Sequence, residues 1–125
     1  MRHTARAIII KGGKILLVSG HDADFYWTPG GGVKDGESPI DALKRELQEE
    51  LGVNIKTAKL YSSYIFEETQ KVDAFLTEII GDISINAEID KTIWLSKKDF
   101  EDDIIKISRG LRIDLIPHLI ADGLF

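Results

Sequence analysis

Residues 31–53 read GGVKDGESPIDALKRELQEELGV. Glycines give way to a lone Glu37, then to a patterned stretch that ends in Arg45, Glu46, Glu49 and Glu50. Ser38 is a good helix N-cap, Pro39 fits the first helical position and Gly52 fits just past the end, so a helix is predicted over about 39–51. Asp41 stands where a negative charge favours the helix N-terminus. On a wheel of about 100° per residue, Ile40, Leu43, Leu47 and Leu51 share one stripe, which must be buried. Asp41, Lys44 and Gln48 lie opposite. Glu46, Glu49 and Glu50 gather on one flank beside the apolar stripe, at i, i+3 and i+4.

A solvated acidic helix would carry the same charges. Two physical facts weigh against that reading. Like charges at this spacing repel, at a cost of a few tenths of a kcal/mol per pair. Glutamates near a helix C-terminus also oppose the macrodipole, and helix stability alone would favour lysine at 49 or 50. Hard carboxylate oxygens clustered at a core boundary suit Mg²⁺ or Mn²⁺. Upstream, Pro29 leads into Gly30-Gly31-Gly32, a backbone able to approach a ligand closely and to present its N–H and C=O groups.

The rest of the chain reads as one domain. Its 125 residues are 43% hydrophobic and 30% charged, an ordinary globular balance, and no repeat or linker divides them. Without cysteine there is neither a disulfide framework nor a thiolate metal site. No apolar run is long enough to span a bilayer, and the apolar stretch that ends MRHTARAIII is broken at once by Lys11-Gly12-Gly13-Lys14, which argues against a signal peptide. A cytoplasmic location is the default expectation. The net charge is −5 and the basic residues are scattered, which argues against long nucleic acid but not against a small phosphorylated ligand.

Strands are predicted over 4–10 and 14–19, joined by a Gly12-Gly13 turn, with a short one around Phe25-Tyr26-Trp27 inside a loop over 20–37. Residues 55–66 and 72–80 form a second pair turning through Glu67–Lys71, and 92–95 a last short strand. A second helical region starts near Ser96 and runs to the C-terminus, interrupted at Gly110 and Pro117. Hairpins around one central helix imply a mixed α/β sandwich rather than a doubly wound parallel sheet.

Residues 31–53 resemble the Nudix box, G-x5-E-x7-R-E-U-x-E-E-x-G-U, in which U is a bulky aliphatic residue. Gly31, Glu37, Arg45, Glu46, Leu47, Glu49, Glu50, Gly52 and Val53 match every defined position. The resemblance implies an α/β/α sandwich with a mixed sheet and a loop–helix–loop catalytic motif. It implies Mg²⁺- or Mn²⁺-assisted hydrolysis of a nucleoside diphosphate linked to another moiety. Glu49 and Glu50 are then the principal metal ligands, with Glu46 near the metal or its water and the Gly30 carbonyl completing the shell. Glu37 and Arg45 form a brace between loop and helix, and Gly31 supports the site. MutT-type relatives place a further acidic residue before a Trp-bearing strand. Glu88, six residues before Trp94, takes that place in competition with Asp90, Glu67, Glu68 and Asp73.

The chain departs from the family in several places. Tyr26 stands where relatives often carry Trp, with Trp27 one later, and Ser19-Gly20-His21 replaces an arginine that reaches phosphate. No proline occurs between Pro39 and Pro117, unlike some relatives specific for ADP-ribose, and no tyrosine lies at 69–71, unlike diadenosine-polyphosphate hydrolases. Tyr26, Trp27, Tyr61, Tyr64 and Phe66 offer stacking faces, each with core packing as its ordinary role. His21 is a candidate phosphate contact, whereas His3 and His118 read as structural. The expected activity is hydrolysis of a nucleoside triphosphate to monophosphate and pyrophosphate, the base being Glu46 or Glu88. An ADP-ribose or nucleotide-sugar pyrophosphatase is the enzymatic alternative, and a non-catalytic nucleotide-binding module the other. The sequence leaves open whether the chain works as a monomer or a homodimer.

Overall fold

The computed structural model describes residues 1–86 and 88–125. In chain order the elements are β1 (Arg2–Ile8), β2 (Ile10–Lys11), β3 (Lys14–Gly20), β4 (Gly30–Gly32), α1 (Pro39–Leu51), β5 (Asn54–Phe66), β6 (Gln70–Ile80), β7 (Ile89–Ser96) and α2 (Lys97–Glu101). A π-helical turn over Leu111–Leu115 then continues as α3 (Ile116–Ala121). The strands form two sheets. One has the order β4-β1-β6-β5 and is mixed, because β1 runs parallel to β6 while the other pairs are antiparallel. The other, β2-β3-β7, is antiparallel.

Both sheets are covered on two sides. Leu43, Leu47 and Leu51 of α1 pack with Ala5, Ala7 and Phe75 of the mixed sheet and with Leu16 and Val18 of the other. On the opposite side Ile8, Ala74, Ile15, Leu17 and Leu95 meet Leu111, Leu115, Ile116 and Leu119 of the C-terminal segment. Strand alternation produces this division: neighbouring residues of β1 and β3 send their side chains to opposite faces, and each face meets its own helix. The result is an α/β/α sandwich, as the sequence implies. Among the described residues no helix is long and apolar enough to cross a membrane.

The departures from sequence expectation have physical causes. The predicted strand over 4–10 is divided, because β1 ends at Ile8 and β2 turns back through Gly12-Gly13 to pair with β3. Residues 25–27 make only isolated bridges, Val18 with Trp27 and Tyr26 with Ile107. The glycine run, expected as loop, is β4: the backbone of β1 offers an open edge and pairs Arg6 with Gly30, Ala5 with Gly31 and Thr4 with Gly32. The last strand starts earlier than expected, at Ile89. The second helical region breaks after α2, over residues 102–108, and not at Gly110 or Pro117 as expected: Gly110 has helical backbone, and Pro117 falls in the first turn of α3, where its missing N–H costs little.

Candidate active site

The site begins with the capping of α1. Ser38 Oγ accepts from the Asp41 N–H at 3.1 Å, and beyond the other end the Gly52 N–H donates to the Gln48 carbonyl at 3.1 Å. The apolar stripe is buried: Leu43, Leu47 and Leu51 have no solvent exposure, each contributing about 1.5–3 kcal/mol of burial. Ala42 is buried with them and Ile40 is partly so. That burial fixes the rotation of the helix and turns the glutamate flank toward β4. The last turn carries no basic residue to offset its carboxylates against the dipole, and Arg45, further back in the helix, supplies a cation to Glu46 and Glu49.

Arg45 gathers the loop and the helix around itself. Its Nε donates to Glu37 Oε2 at 2.9 Å and its Nη2 to Glu37 Oε1 at 3.0 Å, a bidentate pair. The same Nη2 donates to the Gly32 carbonyl at 2.9 Å, and Nη1 donates to Glu46 Oε1 at 2.9 Å. Glu49 lies 3.5 Å from Nη1. Glu37 also accepts the Lys34 N–H at 3.0 Å. Hydrogen bonding from Arg45 is the largest influence on Glu37 and holds its carboxyl at about 2, far below its ordinary value. One guanidinium therefore ties the Glu37 loop, the end of β4 and the Glu46 side chain into one piece.

Two glycines set how closely β4 packs, Gly30 against β1 and Gly31 against the helix. Gly30 has φ of 136°, and a Cβ there would fall 2.1 Å from the Ala5 carbonyl oxygen. A Cβ on Gly31 would stand 2.5 Å from the Glu46 carboxyl carbon. Backbone thus lies directly over Glu46. The Gly30 N–H donates to Glu50 Oε1 at 3.0 Å, and the Gly30 carbonyl accepts from Arg6 Nη1 at 3.1 Å. Burial is the main reason that the Glu50 carboxyl is pushed up to about 7; Glu46 and Glu49 add to the rise, while the Gly30 N–H and Arg6 oppose it.

A groove of about 290 Å³ opens over these groups, lined by Arg2, Arg6, Gly30–Gly32, Glu46, Glu50, Trp27, His21, Glu88 and Ile89. Glu88 thus reaches the groove from the far side, where a register shift in the β3–β7 pairing brings Gly20 opposite Ile89. Its carboxylate is 3.3 Å from His21 Nε2, and both side chains are largely exposed. Its sequence rivals are engaged elsewhere. Asp90 accepts the Asp22 N–H at 3.3 Å, and buried Asp73 is held by His3 Nε2 and Ser63 Oγ, each at 2.6 Å. Glu67 and Glu68 form the tight β5–β6 turn with positive φ.

Beside the groove lies a cleft of about 390 Å³ between the mixed sheet and the C-terminal segment, walled by Trp27, Phe25, Tyr64, Phe66 and Leu111. Tyr26 is not in it. Backbone alternation points Tyr26 the other way, into the second apolar cluster with Lys91 5.6 Å from its ring centre, and this corrects its expected place beside Trp27 at the ligand. Sequence reading missed Arg2, Arg6 and Phe25. Arg6 and Phe25 sit in stretches that read as an ordinary strand and loop, and only tertiary packing turns them toward the cavities.

The donor set fits a hard divalent cation. Glu50 is desolvated beside two further carboxylates, an arrangement that a cation relieves. Among the described residues no three acidic or histidine side chains already form a closed ligand set. Mg²⁺ does not need one, because it is commonly held by one or two carboxylates together with substrate phosphates and waters.

A family profile for the NUDIX domain matches residues 1–112. The chain belongs to that family, a class of hydrolases acting on acid anhydrides. It is 43% identical over 54 residues to the 8-oxo-dGTP diphosphatase of Haemophilus influenzae, a match spanning 43% of this chain and 40% of that protein. With the RNA pyrophosphohydrolase of Bartonella clarridgeiae it shares 29% identity over 84% of this chain and 78% of the relative. Among solved structures, the MutT protein studied from Aliivibrio salmonicida and Vibrio cholerae superimposes with a TM-score of 0.82 at 22% identity, over 97% of this chain and 98% of that one. The Escherichia coli ORF135 protein gives 0.79 at 25% identity, over 98% and 92%.

Proposed function

We propose that this chain hydrolyses nucleoside triphosphates to monophosphate and pyrophosphate with a divalent ion, Mg²⁺ or Mn²⁺. The observation that carries the reading is the convergence of Glu46 and Glu50 of α1, the β4 backbone and Glu88 on one groove that opens beside an aromatic cleft, with Glu49 outside its lining. A nucleotide has the matching form, an anionic chain joined to a planar base. Glu49 and Glu50 would hold the ion with help from the Gly30 carbonyl. When bound, the ion neutralises phosphate charge and lowers the pKa of a coordinated water.

The protein groups divide the remaining work. Glu88 faces the groove opposite the helix and takes the proton of the attacking water. Glu46, held by Arg45 and covered by Gly31, orients that water from the helix side. His21 beside Glu88 contacts the phosphate chain, and Trp27 and Tyr64 border the base. The relative named RNA pyrophosphohydrolase raises the question of a longer ligand. The net charge of −5 and the scattered basic residues favour a free nucleotide.

The test is a panel of ribo- and deoxynucleoside triphosphates, ADP-ribose, nucleotide sugars and a short 5′-triphosphorylated RNA, each with Mg²⁺. Phosphate, pyrophosphate and monophosphate are read separately. Pyrophosphate from a free triphosphate is the expected result. Preferred cleavage of ADP-ribose or a sugar nucleotide would replace the substrate assignment, and turnover of none would make the chain a binding module.

A further inference from the structure

Arg6 lies within β1, which is paired on both edges, to Gly30 on one side and Ala74 on the other. Its neighbours Ala5, Ala7 and Ile8 are fully or almost fully buried. A guanidinium in such a strand is unfavourable unless its charge is answered. Among the described residues no carboxylate stands within ion-pair distance of it. Its hydrogen bonds there both run through Nη1, to the Thr28 carbonyl at 3.2 Å and the Gly30 carbonyl at 3.1 Å. Those carbonyls hold the side chain in place without neutralising it. Nε and Nη2 have no protein partner among the described residues.

The position of this cation is specific. Among the described residues, Arg6 and Trp27 are the two that line both the carboxylate groove and the aromatic cleft. Arg2, four positions earlier on β1, lines the groove as well. A ligand with its base in the cleft and its phosphates in the groove must pass the guanidinium where the two cavities join. In such a ligand the sugar follows the base, and the phosphate esterified to it is the first anionic group to reach that junction.

Building on the nucleotide reading above, we propose that Arg6 is the specificity-determining contact for that first phosphate. Its free edge donates to the phosphate oxygens in the forked geometry that arginine provides and lysine does not. Because the Nη1 bond to the Thr28 carbonyl does not involve the ion-binding groups, the fork is oriented before the ligand arrives. The contact distinguishes a nucleotide from its nucleoside whatever the length of the phosphate chain beyond it.

The test is a tryptophan-fluorescence titration in Mg²⁺ buffer with adenosine, guanosine and cytidine and with their 5′-monophosphates. Wild type, Arg6→Gln and Arg6→Lys are compared after melting curves establish that each is folded. Wild type is expected to prefer the monophosphate by about tenfold or more, the worth of one hydrogen bond to a charged group. Arg6→Gln should abolish that preference while leaving nucleoside affinity within about threefold of wild type. Arg6→Lys, which keeps the charge and is the arm to rely on if the glutamine variant unfolds, should retain only part of it. An unchanged preference in a folded variant overturns the proposal, as does an equal loss for nucleoside and monophosphate. Wild type that turns over nucleotides while the variants keep their preference refutes the Arg6 contact alone; wild type that neither binds nor cleaves nucleotides refutes the nucleotide reading with it.

Discussion

At the scale of single residues, the site depends on how closely backbone and carboxylate approach. Gly31 has no room for a side chain because the Glu46 carboxylate lies against it. The obstacle is the end of a flexible side chain, so Gly31→Ala should fold with a melting temperature near that of wild type. Its kcat should nevertheless fall by about tenfold or more, because Glu46 is pushed out of line. A folded variant with wild-type kcat would remove Glu46 from the account. Glu88 and Asp90 offer a second comparison. Glu88 faces the groove, whereas Asp90 is turned to the Asp22 N–H. Glu88→Gln should lower kcat by roughly a hundredfold with little change in KM, and Asp90→Asn should be nearly silent. The reverse pattern would assign the base to the wrong strand position. Glu88 was legible in the sequence only as a spacing before Trp94. Arg6 was not legible as a site residue, since TARAIII reads as an ordinary strand and only the joining of two cavities distinguishes it.

At the scale of elements, α1 was the most legible part of the chain. Its caps, buried stripe and glutamate flank follow from helical geometry alone, and the structure places Ser38, Leu43, Leu47, Leu51 and Gly52 where the wheel puts them. β4 was illegible because three glycines carry no strand signal; its pairing comes from the edge of β1. The C-terminal helices were only partly legible: the cap at Ser96 is local, but the breaks expected at Gly110 and Pro117 do not occur, and the π-helical turn between them, packed on the sheet, carries the helix through both. The loop–helix brace gives a prediction at this scale. Arg45→Ala frees Glu37, the Gly32 carbonyl and Glu46 together, so melting temperature should fall by roughly 5 °C or more along with activity. Glu37 has a depressed folded-state value of about 2, so the stabilisation it gives is present above its ordinary value of 4.5 and lost as pH falls through about 2. Acid unfolding of Arg45→Ala should lack that component. Unchanged melting in Arg45→Ala would contradict the brace.

At the scale of the whole molecule, two sheets and two helical layers are arranged so that a desolvated acidic site adjoins an aromatic cleft. The acidic site carries a cost that pH reveals. Glu50 is raised from 4.5 to about 7, chiefly by burial. Between those values the folded chain holds a proton that the unfolded chain has released. Stability of the ion-free protein should therefore fall as pH rises from about 4.5 to about 7 and level off above it. Glu50→Gln should flatten that part of the profile and melt higher than wild type at pH 8 without divalent ions. A profile that is the same in both proteins would show that Glu50 is not the strained group.

The central claim is that these carboxylates form a metal-assisted anhydride-hydrolysing centre. The most direct measurement is the initial rate of hydrolysis of the triphosphate selected by the panel, for wild type and Glu50→Gln, with Mg²⁺ and with excess chelator. The account predicts turnover by wild type with Mg²⁺ and none in chelator. It also predicts a loss of at least about a hundredfold in a well-folded Glu50→Gln, equivalent to about 2.7 kcal/mol of transition-state stabilisation. Full turnover in chelator, or near wild-type kcat in Glu50→Gln, would contradict it.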